Sequence, residues 1–128
     1  MKLTAIFLAL MSFSAFASWN EVECEGKLGT KEVYLEIEQP FPQGSAFTRA
    51  TLTVTEEGQE KEFYYTVSAR RSGGFRNIRY WGAGLDLDVD FWPDNAPRWG
   101  RNYRSTLRTS DVDNRASINV ECRYPNAF

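Results

Sequence analysis

Three aspartates alternate with apolar residues in the stretch LDLDVD (85–90), which leads into the loop FWPDNAPRWGR (91–101). Carboxylates at the first, third and fifth places are typical of an EF-hand calcium loop. That pattern also needs glycine at the sixth place and glutamate at the twelfth, and here those places hold Phe91 and Pro97. On a strand the carboxylates would lie about 7 Å apart along one face, too far apart to surround one ion. We therefore expect no metal site at these residues.

Pairing with the next basic segment is the other role available to these aspartates. If Asp90 lies opposite Arg104, antiparallel pairing fixes the partners of the other residues. The further pairs in that register are Asp86–Arg108, Leu87–Leu107 and Phe91–Tyr103. Because this register matches charge on one face and apolar side chains on the other, it predicts two adjacent antiparallel strands.

The loop after the aspartates has the composition of a recognition surface. Tryptophan and arginine are enriched in interface hot spots, and flat aromatic rings beside polar groups also suit sugar faces. We predict a binding site for a glycan or a protein partner, formed by Trp92, Asp94, Arg98, Trp99 and Arg101. In the alternative, one or both tryptophans fold back and fill the end of the domain.

The composition argues against most catalytic chemistry. The chain has no histidine, which removes Ser-His-Asp and Cys-His catalysis. Because its two cysteines are expected to be oxidised, no nitrogen or thiolate ligands remain for zinc. A glycosidase would have to use two carboxylates among Asp86, Asp88, Asp90 and Asp94 on either side of a cleft, which a domain this small rarely has. We therefore predict a protein that is not an enzyme and that uses no cofactor.

A second segment, ARRSGGFRNIRYWGAG (69–84), interleaves arginines with aromatic residues. Such a pattern occurs in proteins that bind single-stranded nucleic acid. The net charge of −2 lacks the basic excess of that class, so we predict no nucleic-acid partner. Cation–π contacts within a sheet account for the same composition.

The elements that position these residues are β-strands, because apolar and polar residues alternate through most of the chain. Glycine, proline, asparagine and aspartate mark the turns between them. Since short connections favour antiparallel neighbours, we predict an up-and-down barrel or a two-sheet sandwich. The eight predicted strands are 19–26, 31–38, 47–56, 60–69, 74–81, 84–92, 101–109 and 115–123.

The N-terminus predicts export. Residues 1–17 combine a lysine, an apolar run and a small-residue cleavage site, which is typical of a secretory signal peptide, and residues 18–128 form a single domain. In an oxidising compartment the two cysteines should pair, so we expect Cys24–Cys122 to join the first strand to the last. The apolar runs of the strands are shorter than a membrane-spanning strand needs, so we predict no membrane insertion.

Together these features predict a secreted or periplasmic binding module. Its partner would be a glycan, a peptidoglycan fragment or a protein, and inhibition of a protein partner is included. A small exported barrel with a disulfide joining its ends loosely resembles bacterial periplasmic lysozyme inhibitors. No motif of that family matches residue by residue, so the chain is not assigned to it. A soluble structural protein of the cell envelope is the alternative function.

Overall fold

The computed structural model describes residues 20–38, 48–71 and 76–126, and the predicted signal peptide lies outside these ranges. Each strand pairs with the next, and the last pairs with the first, so the sheet closes into a barrel. The predicted all-β fold is confirmed, and of the two predicted architectures the barrel is the one that forms. The strands are β1 (Asn20–Leu28), β2 (Lys31–Glu38), β3 (Thr48–Glu56), β4 (Gln59–Arg71), β5 (Asn77–Gly82), β6 (Leu85–Asp90), β7 (Tyr103–Arg108) and β8 (Ile118–Arg123).

Alternation along the strands builds the interior. In β2, for example, Val33, Leu35 and Ile37 are buried while the residues between them are exposed or half-buried. Full burial of one such side chain contributes about 1.5 to 3 kcal/mol, so the alternating pattern is the main source of stability. The largest fully buried side chains are Tyr80, Phe91, Leu35, Ile37, Leu52, Leu87, Leu107 and Ile118.

The two ends of the barrel are built differently. One end, here called the turn end, carries the two-residue turns 29–30, 57–58 and 83–84 and the 109–117 connection. This connection is tied to the barrel by the Tyr65 phenol, which donates to Asp111, and by Lys31 Nζ, which donates to the Val112 carbonyl oxygen. The opposite end, here called the loop end, carries the start of β1, the 91–102 connection and the residues after β8.

The seam between β1 and β8 closes the barrel. Cys24 lies opposite Cys122 in the register, and the two form a disulfide, as predicted. Gly26 lies opposite Val120, and a Cβ atom there would come within 2.5 Å of the Asn119 carbonyl oxygen, so glycine permits this close approach. A disulfide is characteristic of oxidising compartments. Within the described ranges no helix is long and apolar enough to cross a membrane.

The predicted register between β6 and β7 is also confirmed. Asp86 lies opposite Arg108 and Leu87 opposite Leu107. The strand β8 begins at Ile118 rather than at 115, because the Asp113 carboxylate accepts the backbone N–H groups of residues 115 and 116 and holds them in a turn.

Removing the disulfide should destabilise the barrel strongly. The cysteines are 98 residues apart, and on the chain-entropy model a bridge over such a loop stabilises the fold by about 4 to 5 kcal/mol. We expect the double variant Cys24→Ala/Cys122→Ala to lose free energy of unfolding of this size, measured by urea denaturation. Wild type in dithiothreitol serves as the control, and its unfolding midpoint should shift toward that of the variant. Equal unfolding midpoints for variant and oxidised wild type would contradict this role.

Candidate functional site

The connection 91–102, here called the tryptophan loop, carries two exposed aromatic side chains at the loop end. Trp92 is 65% exposed and Trp99 is 70% exposed. The fully buried Phe91 occupies the place that the alternative interpretation gave to the tryptophans. Because both indole rings face solvent, they are available to contact a partner.

Asp94 is the centre of the loop's polar contacts. Its side chain is only 11% exposed, and its Oδ2 accepts a hydrogen bond from the Tyr103 phenol at 2.8 Å. Arg101 Nη2 lies 3.6 Å from the same oxygen, and Arg98 Nη1 lies 4.0 Å from Oδ1. The carboxylate therefore draws both arginines toward one point while their side chains stay about half exposed or more.

Tyr103 connects the Asp94 hub, which is the Asp94 carboxylate with Arg98 and Arg101, to the barrel. Its phenol oxygen accepts the Arg98 backbone N–H at 2.9 Å while its proton goes to Asp94. Burial, followed by the hydrogen bond to Asp94, raises the pKa of Tyr103, so the phenol stays protonated and continues to donate. The Tyr103 ring meets Phe91 edge to face at 5.4 Å, which continues the predicted pairing of these two residues.

Backbone contacts fix the ends of the tryptophan loop. Asp90 Oδ1 accepts the Trp92 N–H at 2.9 Å, and the Phe91 N–H donates to the Arg76 carbonyl oxygen at 2.7 Å. Gly100 has a φ of 81°, a conformation that glycine adopts without steric cost. These contacts give the loop a defined shape before any partner binds.

All five predicted site residues thus lie in one loop, but with different surroundings. Asp94, Arg98 and Arg101 form a cluster, whereas the two tryptophans lie exposed beside it. Since Asp94 is mostly buried and has three partners, it positions the arginines. Trp92, Trp99 and the two guanidinium groups form the accessible surface.

The aspartates of β6 have local partners. Asp86 pairs with Arg79 on β5, through Nε–Oδ1 and Nη2–Oδ2 distances of 3.0 and 2.7 Å, although Arg108 lies opposite it on β7. The donors to the other two are Asn77 for Asp88 and the Trp92 N–H for Asp90. These contacts favour a structural role over the glycosidase alternative. In the described part of the chain, no three acidic, cysteine or histidine side chains come together as metal ligands.

Arg79 also has a second contact. Its guanidinium carbon lies 5.5 Å from the Trp81 ring centroid, one cation–π contact of the kind predicted for the 69–84 segment.

Glu21 is a half-buried carboxyl group at the loop end that the sequence does not predict. Glu21 Oε2 accepts a hydrogen bond from the Tyr80 phenol at 2.8 Å, and the Tyr80 and Tyr124 oxygens lie 2.8 Å apart. The register of β1 shifts between Asn20 and Val22, so Glu21 does not follow the alternation of its strand. Burial raises the pKa of Glu21, and the hydrogen bond from Tyr80 offsets this in part. The bulge in β1 turns the Glu21 side chain toward Tyr80, and no pattern in the sequence predicts this bulge.

Comparison with known proteins yields no relative. The chain matches no family model, no curated protein and no solved structure.

Removing the Tyr103 hydroxyl should loosen the tryptophan loop. Tyr103→Phe keeps the buried ring but leaves a mostly buried carboxylate and a backbone N–H without this partner, at an expected cost of about 1 to 3 kcal/mol in free energy of unfolding. Faster hydrogen exchange of the Arg98 amide would locate the effect. Tyr64→Phe is the matched control, because Tyr64 is 63% exposed and should change little. An equal loss of free energy of unfolding in the two variants would contradict a role of Tyr103 in holding the tryptophan loop.

Glu21 should make stability depend on pH. Since its folded pKa lies above the ordinary value of 4.5, the native state resists ionisation, and stability present below that value is lost as pH rises through the folded pKa. Glu21→Gln keeps an acceptor for Tyr80 and cannot ionise. As pH rises through the folded pKa of Glu21, the free energy of unfolding of this variant should therefore increase relative to that of wild type. Urea midpoints from about pH 4 to about pH 8 measure this. Glu60→Gln, which removes an exposed carboxyl, is the control, and parallel curves for Glu21→Gln and wild type would contradict the prediction.

Proposed function

We propose that this protein is an exported, non-catalytic binding protein that recognises a partner protein through the tryptophan loop. The predicted signal peptide supports export to the periplasm or the medium, and the Cys24–Cys122 disulfide fits an oxidising compartment. The observation that carries the proposal is the exposure of Trp92 and Trp99 on a loop that the barrel holds in place.

Exposed tryptophans in such a loop need an explanation. Burying their apolar surface would stabilise the chain, and a soluble monomer rarely leaves several large apolar groups exposed together. Among the described residues the exposed large apolar side chains are Tyr64, Trp92 and Trp99, so two of the three lie in this loop. Tryptophan beside arginine is the composition that dominates binding energy at protein interfaces.

Preorganisation supports the same conclusion. Ordering a flexible loop on binding costs free energy, and a loop already fixed avoids most of that cost. Here the contacts of Asp94, Tyr103 and Asp90 fix the loop without using the indole rings. The rings are therefore presented to a partner by a scaffold that needs little rearrangement.

The shape of the loop favours a protein over a glycan. Sites for small molecules are concave, and three grooves of the described surface are lined mainly by strand residues and the 109–117 connection. Asn102 of the tryptophan loop lines one of them, but Trp92 and Trp99 line none of the three. A projecting loop instead fits a concave surface on a partner. Arg98 and Arg101 carry two positive charges against the single negative charge of Asp94, so the cluster is net positive. The complementary surface of the partner should therefore carry carboxylates. A loop seated in a cleft blocks it, so inhibition of the partner is an expected consequence.

Binding should depend on the two indole rings. For the captured partner, Trp92→Ala and Trp99→Ala should each raise Kd by at least about 30-fold, the effect of losing about 2 kcal/mol at a hot spot. Because both rings are exposed, the free energy of unfolding should change by less than about 0.5 kcal/mol. Tyr64→Ala removes an exposed aromatic elsewhere and should bind as wild type.

The experiment uses protein expressed from the full sequence, with the mature N-terminus read by mass spectrometry. Immobilised wild type and variants are exposed to envelope extract and, in parallel, to a glycan array. A protein retained by wild type and lost by the tryptophan variants supports the proposal. A glycan retained in the same way would make the ligand a sugar, and equal retention by all variants would contradict a role for the loop.

A further inference from the structure

A groove of about 430 Å³ lies near the turn end, opposite the tryptophan loop. The outer faces of β5, β6 and β7 form one side of it, and the 109–117 connection forms the other. We call it the arginine groove, and the residues used below are Arg79, Trp81, Asp86, Arg108, Asp113 and Arg115. Its volume lies in the range of small-molecule sites, roughly 300 to 1,000 Å³.

The carboxylate that faces Arg108 across the strands is already occupied. Arg108 lies opposite Asp86, but both oxygens of Asp86 are taken by Arg79 in a two-point contact. Within the described ranges no carboxylate oxygen lies within 4 Å of the Arg108 guanidinium. Arg108 therefore has no ion-pair partner of its own on this wall of the groove, and the nearby Asp88 lies with it in a neighbouring groove.

The second carboxylate of the groove is occupied as well. Asp113 Oδ1 accepts the backbone N–H groups of Arg115 and Ala116 at 2.8 and 2.7 Å. The Arg115 side chain is exposed and, like Arg108, forms no ion pair with a described residue. The backbone N–H groups of Ala116 and Arg115, and after them the charges of Lys31 and Arg115, lower the pKa of Asp113, so Asp113 partly offsets the Arg115 charge. The groove lining holds three guanidinium groups, of Arg79, Arg108 and Arg115, against the carboxylates of Asp86 and Asp113, which leaves a positive charge in excess.

Trp81 supplies an aromatic part of the groove lining. Its side chain is half-buried on the outer face of β5, and the Arg79 guanidinium lies over the ring. Arg79 is held in turn by Asp86, so ring and guanidinium are fixed by the sheet. An aromatic ring beside two cations offers apolar contact and charge to the same ligand.

We propose that the arginine groove binds an acidic sugar. Its carboxylate would lie between Arg108 and Arg115, and its ring would pack against Trp81. Arginine suits carboxylate recognition because its planar donors form two parallel hydrogen bonds. This site is at the opposite end from the tryptophan loop and does not depend on the function proposed for that loop.

The test is an NMR titration of the ¹⁵N-labelled protein at low ionic strength with three probes. These are a glucuronic acid–N-acetylglucosamine disaccharide, the neutral N-acetylglucosamine disaccharide and sodium sulfate. We expect saturable shifts at the Trp81 indole and the amides of 109–116 with the acidic sugar, and at least tenfold weaker binding of the neutral one. Sulfate should also bind at least tenfold more weakly, because it cannot pack on Trp81.

Variants separate the contributions. Arg108→Gln and Arg115→Gln should each weaken binding of the acidic disaccharide at least tenfold, and Trp81→Ala should weaken it without abolishing sulfate binding. Arg49→Gln, an exposed arginine on β3, is the matched control and should bind as wild type. Trp92→Ala should bind normally, so failure at this groove and failure at the tryptophan loop are distinguishable.

Two results would overturn the proposal with wild-type protein alone. No saturable shift with the acidic sugar would exclude the site. Sulfate binding as tightly as the sugar would make it a simple anion site in which Trp81 has no part.

Discussion

Closure of the sheet between β1 and β8 is the constraint on which the rest of the structure depends. Pairing of these strands removes both open edges of the sheet, and the Cys24–Cys122 bond fixes that pairing covalently. Closure also brings the start of β1 next to the residues after β8 at the loop end, where Asn126 Nδ2 donates to the Asn20 carbonyl oxygen at 2.9 Å.

At the loop end, buried residues that stabilise the fold lie next to exposed residues of the proposed binding surface. Residues that continue the inward alternation, such as Phe91 after β6 and Tyr103 at the start of β7, are buried and make aromatic contacts. Residues one step out of phase, such as Trp92, face solvent. Because the same chain segment supplies both sets, the barrel can hold the recognition surface without burying it.

Much of the fold follows from alternation in the sequence. All eight strands were predictable, and charge matching placed Asp86 opposite Arg108 and Leu87 opposite Leu107 correctly. Barrel and sandwich could not be distinguished, because a bond between the first and last strands suits both. Strand register depends on the two-residue alternation of apolar and polar side chains, and that alternation is visible in the sequence.

Features that break the period were not predictable. The bulge at the start of β1 turns Glu21 toward Tyr80, against the alternation of its strand. Register places Trp81 and Arg108 opposite Asp86, and Arg79 opposite Asp88. It does not say that Arg79 pairs diagonally with Asp86. The Asp94 hub likewise depends on the path of an irregular loop, although its residue types were enough to select it as a candidate site.

Oxidative footprinting of tryptophan tests the central claim most directly. The oxidised protein is exposed to brief hydroxyl-radical pulses with and without an envelope fraction, and modification of each tryptophan is quantified by mass spectrometry. The account predicts strong protection of Trp92 and Trp99 by the fraction and little change at Trp81. Undiminished modification of both loop tryptophans while the fraction is bound would contradict recognition through this loop.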